Sequence, residues 1–522
     1  MCGSPGNSNQ GALLNFLVWY LFNKDFTNEY KRVKVLCSST SMYRDFAVKG
    51  NIGNWIQNLR YDEFIFKQQD HKLLKDSMIA IETLIELLKT WDIPCHFIRS
   101  HSGAVHKKIL LSVLKNIDFI EQLILIFSAY FLTSMLIAIP FYLSNYQVTL
   151  LNSIFESVSG LTGTGFSIFK NIKYLDPTLI LWRSSSQWIG GLFFLFILII
   201  IFSNKSFNYK MTNLTFSGDS NFKSKEKIKD KILKIFIIYS VLSIIILTLL
   251  SFSGLRLFNS LNMSMTLISG GGFIPTDSIS KIISNNFQKI IFIISLLVSM
   301  LNFYLLFNLF SKKILIKEHK EDLYLIAASL AFFILIYFNN YEGLDIVISV
   351  ISSLANSGLT LVKSDNDLSL YFLLLTIIGG SLISNTSGIK LTRFYILLKI
   401  TSLEIIKLIS PNSVINKTIF NSDRKITDDN VKISFLIFIS FFLSLFILSS
   451  FLVIDNIGFE KSFKLSILTL TNTVNSEMFD MKNINFSNLL TSSKISLILF
   501  MIIGKIELIS IFLIFKKILF KD

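Results

Sequence analysis

Four short runs of small residues interrupt an otherwise apolar chain: SGLTGTGFS (Ser159–Ser167), SGGGF (Ser269–Phe273), ANSGL (Ala355–Leu359) and TNTVNS (Thr471–Ser476). The chemistry open to them is backbone chemistry. Gly, Ser and Thr let carbonyl oxygens face inward and replace the hydration shell of an ion, and glycine accepts the positive φ that this demands. The first run would offer Thr162, Gly163, Thr164 and Gly165, and the second Ser269, Gly270, Gly271 and Gly272. Three successive glycines would destabilise a plain buried helix, so the second run is the stronger local signal. The third would offer Asn356, Ser357 and Gly358, which alone would read as an ordinary turn, and the fourth Thr473, Val474 and Asn475. The bland alternative is close helix packing through small residues. One such run would favour it; four in register favour an ion filter built by a single chain.

A second set of residues suggests a gate. The stretch Gly379–Lys390 places Gly379, Gly380, Ser384, Asn385, Ser387 and Gly388 inside an apolar segment, ending on Lys390. Broken helices in transporters line cavities and ion paths. The alternative puts Lys390 and Arg393 at a cytoplasmic helix end, snorkelling to water. Lys505 and Glu507 lie within the last apolar segment, where charge is expensive and usually functional. Two residues apart, they point in different directions on a helix. Lys505 facing the pore would be a barrier for a passing cation; a structural ion pair is the alternative. Arg183, Gln187 and Trp188 read as an aromatic-belt and packing group, with Glu156 hydrogen-bonding behind the first run.

The elements that must position these residues recur four times. Each unit has a long apolar segment, a shorter semi-polar segment ending in small residues, a connection, and another long apolar segment. The units are Phe119–Leu143, Leu150–Gly160 and Thr178–Phe202; Lys231–Phe252, Leu255–Leu267 and Lys289–Phe310; Asp322–Phe338, Gly343–Leu354 and Leu368–Leu398; Val431–Ile454, Phe459–Leu470 and Ser492–Phe515. The middle segments are too short to span a bilayer, which takes about 20 residues, so they read as re-entrant. Re-entrant backbone is tolerated only where protein or water surrounds it. Composition agrees: of 522 residues 52% are hydrophobic, 16% are charged and 50 are Phe. The expected fold is therefore an all-α polytopic membrane protein. Its four pseudo-repeated helix–pore-loop–helix units (119–203, 231–311, 322–400 with the gate loop, and 431–520) surround one central pore.

The net charge of +15 is concentrated in three linkers, Lys205–Lys234, Lys312–Lys320 and Lys399–Lys425, and at Lys516, Lys517 and Lys521. Positive charge marks the cytoplasmic side, so these linkers and the C-terminus are expected in the cytoplasm, and nucleic acid is not an expected partner. Membrane lipid is.

At these residues the chain resembles the Trk/Ktr/HKT superfamily of potassium transporters, most closely the bacterial TrkH-type subunit. SGLTGTGFS is similar to that family's Ser-x-x-Thr-Thr-Thr-Gly-Phe-Ser filter, and LWRSSSQWIGG (Leu181–Gly191) to its Trp-Arg-x-x-x-Gln-Trp-x-Gly-Gly helix. GGSLISNTSGIK and MIIGKIEL (Met501–Leu508) are similar to its Gly-Gly-x-x-x-Ser-Thr-x-Gly-Gly-x-Lys and Met-x-x-Gly-Arg-Leu-Glu stretches. The likeness covers about residues 119–522. It implies potassium uptake through a filter holding potassium as the transported ligand, without enzymatic activity or a cofactor. It also implies an intramembrane gate, a homodimer, a TrkA-like cytosolic nucleotide-binding regulatory subunit and a place in the bacterial inner membrane. The family has a glycine in each filter; here these are expected at Gly165, Gly272 and Gly358, with Asn475 replacing the fourth. Asn385 and Ser387 replace the usual Thr and Gly, and Lys505 the usual Arg. A sodium-permeable or weakly selective channel of the same fold is the alternative function.

Residues 1–118 do not share the likeness. They are more highly charged and contain Cys2, Cys37 and Cys95, whose spacing suggests neither a disulfide framework nor zinc. Val33–Cys37 and Ile93–Ile98 read as strands and His71–Lys89 as an amphipathic helix, a small soluble α/β-like segment with no signal peptide expected. It is either an appended domain or a fused fragment. A remote alternative is a membrane-anchored enzyme with its site here, although no convincing catalytic constellation is present.

Overall fold

The computed structural model describes residues 119–203, 228–303, 305–306, 320–337, 343–362, 366–410, 418–420, 426–481 and 484–506. All fall in one compact unit, Phe119–Asp522. The expected strands and helix before residue 119, and Glu507, lie outside the described residues.

Helices α1 (Phe119–Tyr142), α2 (Leu150–Thr162) and α3 (Pro177–Ser203) make the first unit, and α4 (Ile228–Phe252), α5 (Leu257–Ser269) and α6 (Asn286–Met300) the second. The third contains α7 (Lys320–Tyr337), α8 (Gly343–Leu354), α9 (Asn366–Ile378) and α10 (Leu391–Ile409); the fourth contains α11 (Asp428–Ile454), α12 (Phe459–Leu470) and α13 (Thr491–Ile506). The third inner segment is thus two helices, broken at Gly379–Lys390, because Gly379 and Gly388 both take positive φ there.

By length and composition, Ile124–Tyr142, Ile232–Phe252 and Asp428–Ile454 are long and apolar enough to cross a membrane. The first helices of the units present apolar side chains outward, among them Leu132, Leu136, Ile244, Leu335 and Phe446. The short helices α2, α5, α8 and α12 are instead buried along most of their length. Apolar groups face outward and small polar groups inward, the arrangement expected where lipid is the outer solvent. Many buried hydroxyls are satisfied within their own helix, as Ser153 Oγ donates to Thr149 O and Thr469 Oγ1 to Leu465 O.

The connections on the far side of the short helices are cross-linked as well. Asp277, between α5 and α6, accepts from the backbone N–H of Ile172 at 3.0 Å and pairs with Lys281 at 3.1 Å. Partial burial works against its carboxylate, but the hydrogen bonds and charge of Lys281, with the backbone donors, hold its pKa below the usual value.

Candidate pore loops and intramembrane loop

The four loops share a register set by their helix ends. Each short helix is followed closely by a residue in the left-handed region: Gly163 (φ 82°), Gly270 (φ 67°), Asn356 (φ 55°) and Asn472 (φ 51°). A left-handed residue closes a helix by turning its own N–H back to the last turn, as Gly163 N does to Gly160 O and Asn472 N to Thr469 O. Two residues beyond these caps stand Gly165, Gly272, Gly358 and Val474.

These four positions meet. A Cβ added to Gly165 would lie 2.8 Å from Gly272 Cα and 3.1 Å from Val474 Cβ; one on Gly358 would lie 2.7 Å from Val474 O. A Cβ on Gly272 would overlap Val474 Cβ and lie 3.0 Å from Ser357 O. The glycines are therefore required by close approach of backbone from different units. Val474 is the residue whose side chain occupies the space they leave.

This corrects the expectation for Asn475. In the fourth loop the left-handed residue is Asn472, and Asn475 is not among the positive-φ positions. Its side-chain amide donates to Met481 O at 3.1 Å, tying the loop to its own outgoing chain. The position equivalent to the glycines is filled by Val474.

Residues behind the loops fix their spacing. Ser159 Oγ donates to Phe166 O at 2.7 Å and the hydroxyls of Thr162 and Thr164 are 2.7 Å apart. Glu156, on α2, accepts from Ile168 N at 2.8 Å, Ser167 Oγ at 3.1 Å and Arg183 Nε at 2.7 Å. Arg183, on α3, lies over the ring of Phe273 with its guanidinium carbon 4.1 Å from the centroid. Gln187, one turn further, accepts from Phe273 N at 3.2 Å. Arg183 and Gln187 are fully buried, so they are not belt residues: they join the first loop to the second. Trp188 does fit a packing role, donating to Ser243 Oγ at 2.9 Å. In the same helix, side chains at Gly190 or Gly191 would collide with Leu161 and with Ser269, so both glycines permit close packing of α3 on α2 and α5. On the other side, Asn356 Nδ2 donates to Thr376 O at 2.9 Å and to Thr473 Oγ1 at 3.3 Å, and Asn472 Nδ2 to Met501 O at 3.0 Å.

The Gly379–Lys390 segment is a closed loop. Its neck is zipped by Ile389 N to Ile377 O at 3.0 Å and Leu391 N to Gly380 O at 3.2 Å. It is pinned to the second unit by Ser381 N to Met300 O (3.0 Å), Phe303 N to Ile383 O (2.7 Å) and Asn385 Nδ2 to Ile268 O (2.9 Å). Glu321, which stands outside every motif in the sequence, accepts from Leu382 N at 2.8 Å and Thr392 Oγ1 at 2.5 Å, clasping both sides of the break. Lys390 and Arg393 are 3% and 1% exposed; neither snorkels. Lys505 donates to Asn385 O at 2.7 Å and lies 4.7 Å from the centre of the Phe194 ring. Lys390, Arg393, Lys505, Phe194, Phe441 and Leu470 are among the residues lining a small cavity beside the loop. Lys505 also approaches the first pore loop, 3.9 Å from a Cβ placed on Gly163. Among the described residues no cluster of His, Cys, Asp and Glu could hold a metal ion.

A membrane protein with four converging re-entrant loops and a broken inner helix is the class these features define. Residues 115–340 match the family model described as TrkH, a cation transport protein. The chain is 27% identical over 438 residues to an uncharacterized cation transporter of Methanocaldococcus jannaschii, covering 78% of this chain and 84% of that one. It is 26% identical over 424 residues to the Trk system potassium uptake protein TrkG of Escherichia coli, covering 76% and 84%. The crystal structure of the potassium transporter TrkH from Vibrio parahaemolyticus superposes with a TM-score of 0.66 at 16% identity, over 97% of this chain and 98% of that one, a likeness of fold. Over residues 115–340 in sequence, and in its fold, the chain is thus similar to TrkH-type cation transporters.

Proposed function

We propose that the chain is a potassium uptake permease in which monovalent cations cross a single-chain pore formed by the four loops. The observation that carries this reading is the meeting of Gly165, Gly272, Gly358 and Val474 from four units. Backbone oxygens of residues 162–165, 269–272, 356–358 and 473–475 would replace water around the ion. The segment Gly379–Lys390, with Lys505 against it, would gate the path. The permease would sit in the bacterial inner membrane with its basic linkers in the cytoplasm, as a homodimer with a cytosolic nucleotide-binding regulator. That potassium is the ion is supported by the similarity to TrkG, a potassium uptake protein of Escherichia coli.

One observation favours weaker selectivity: the ring of glycines is interrupted by Val474. Selection between potassium and sodium depends on the number and field of the ligands, and one side chain changes both locally. Flux of potassium, rubidium and sodium into proteoliposomes distinguishes the readings. Potassium and rubidium uptake well above sodium supports the permease; equal rates support the weakly selective channel, and no flux of any ion refutes both.

A further inference from the structure

We propose that the intramembrane loop contains a monovalent-cation site of its own, formed by oxygens of Ser384, Asn385 and Thr386 and filled in this conformation by the ammonium groups of Lys390 and Lys505. Three consecutive carbonyls carry the argument. Lys390 Nζ donates to Thr386 O, to Thr386 Oγ1 at 2.9 Å, and approaches Ser384 Oγ at 3.4 Å and Ser384 O at 3.5 Å. The carbonyl between them, Asn385 O, receives Lys505 Nζ at 2.7 Å.

Successive residues turning their carbonyls to cations is an unusual demand on backbone, and the loop is built to meet it. Its neck is closed by backbone hydrogen bonds, and Gly380 N donates to Thr386 Oγ1 at 3.2 Å, which orients that hydroxyl oxygen. Lys390 itself takes φ 76°, a value costly for a residue with a Cβ; that bend returns its side chain over the loop. The oxygens around Lys390 Nζ are neutral carbonyls and hydroxyls, the donors that replace the hydration shell of an alkali ion in a filter. An ammonium group and a potassium ion are similar in size and charge, and differ mainly in that the ammonium is tethered. Glu321 clasps the same neck, accepting from Leu382 N at 2.8 Å and Thr392 Oγ1 at 2.5 Å. Ser384 and Thr386 are buried, so an ion there would be dehydrated as it is in a filter.

The ligand class is a monovalent cation of about the size of potassium, rubidium or ammonium. When Lys390 swings away, a permeating ion takes its place; when it returns, the loop is locked by its own cation. This deepens the transport reading, but binding can be measured without flux, so either can fail alone.

The test compares the purified full chain with Lys390→Ala in potassium, rubidium or choline chloride at equal ionic strength. Removing the tethered cation opens the site, so the variant's melting midpoint should rise in potassium or rubidium by more than the parent's, saturably, with choline ineffective. The parent controls for ions bound at the pore loops. An equal salt response in parent and variant overturns the proposal. Should the variant fail to fold in every salt, the parent decides: amine-specific labelling of Lys390, read by peptide mass spectrometry, should be faster in potassium than in choline, and equal rates overturn it.

Discussion

Gly272→Ala should damage this protein, and Val474→Gly should repair it. An alanine methyl at residue 272 would overlap Val474 Cβ, lie 2.9 Å from Val474 Cγ1 and 3.0 Å from Ser357 O. Carbon atoms rest at about 3.5–4.0 Å, so the loops must part. Overpacking of this kind costs about 1–3 kcal/mol, most of it against the Val474 side chain, since the contact with Ser357 O at 3.0 Å is tight but not an overlap. Val474→Gly alone loses a half-buried isopropyl group, about 1 kcal/mol when half of the burial value is taken, and about 0.5–1 kcal/mol of backbone entropy.

Were the sites independent, the double variant would lose the sum, up to about 5 kcal/mol. If the loops meet as described, the alanine methyl enters the space left by Val474, and the double variant should melt close to Val474→Gly alone. The coupling would then be about 1–3 kcal/mol in favour of the pair. Thermal unfolding of the four purified proteins measures it, and rubidium uptake should follow the same order. Additive losses would refute the convergence of the second and fourth loops, and with it the basis for a single-chain pore.

Lys505→Met removes a buried cation beside the first loop and its bond to Asn385 O; uptake should rise, about tenfold if the barrier falls by about 1.4 kcal/mol, and unchanged uptake at equal expression would assign Lys505 a structural role. Arg183→Met strands the Glu156 carboxylate, and the melt should fall by an amount equivalent to about 3–5 kcal/mol, with partial recovery in Arg183→Met/Glu156→Gln; a small loss would show that the pair does not brace the first loop. Asn475→Gly should leave the potassium-to-sodium uptake ratio unchanged and cost about 0.5–1.5 kcal/mol for the lost bond to Met481 O; a shifted ratio would restore Asn475 to the ion path.

Much of the architecture was legible because lipid enforces a simple code. Long apolar segments must be helices, so small polar runs inside them stand out, and the short middle helices were bounded to within a few residues. What was not legible is register within a loop. TNTVNS holds two asparagines, and Asn tolerates the left-handed region at either; only the end of α12 at Leu470 shows that Asn472 is the cap. Matching the last asparagine to glycine therefore slipped the loop by one residue. Arg183 was misplaced for another reason. With Gln187, Gly190 and Gly191 it forms a polar and small stripe at i, i+4, i+7 and i+8, the spacing of one helix face. That stripe signalled a buried contact, whereas weighing each residue separately suggested a belt. Glu321 left no such trace, because its partners, Leu382 and Thr392, lie 61 and 71 residues away.

The corrected register also explains why a valine can stand among three glycines. Gly165 and Gly358, from the first and third units, have φ of 82° and 70°, where a β-branched residue would be a true outlier. Gly272 and Val474, from the second and fourth, are not among the positive-φ residues. The ring at this level is thus alternating rather than four-fold. Two positions are glycine by conformation, one is glycine only because a neighbour fills its space, and the fourth is that neighbour. A side chain could therefore be admitted at residue 474 without backbone strain, provided that residue 272 has none. The same alternation predicts where substitution is forbidden outright: Gly358→Ala should not be rescued by Val474→Gly, because its methyl would still meet Val474 O at 2.7 Å and its φ would remain unfavourable. If that pair did melt like Val474→Gly alone, the distinction between glycine by conformation and glycine by space would fall.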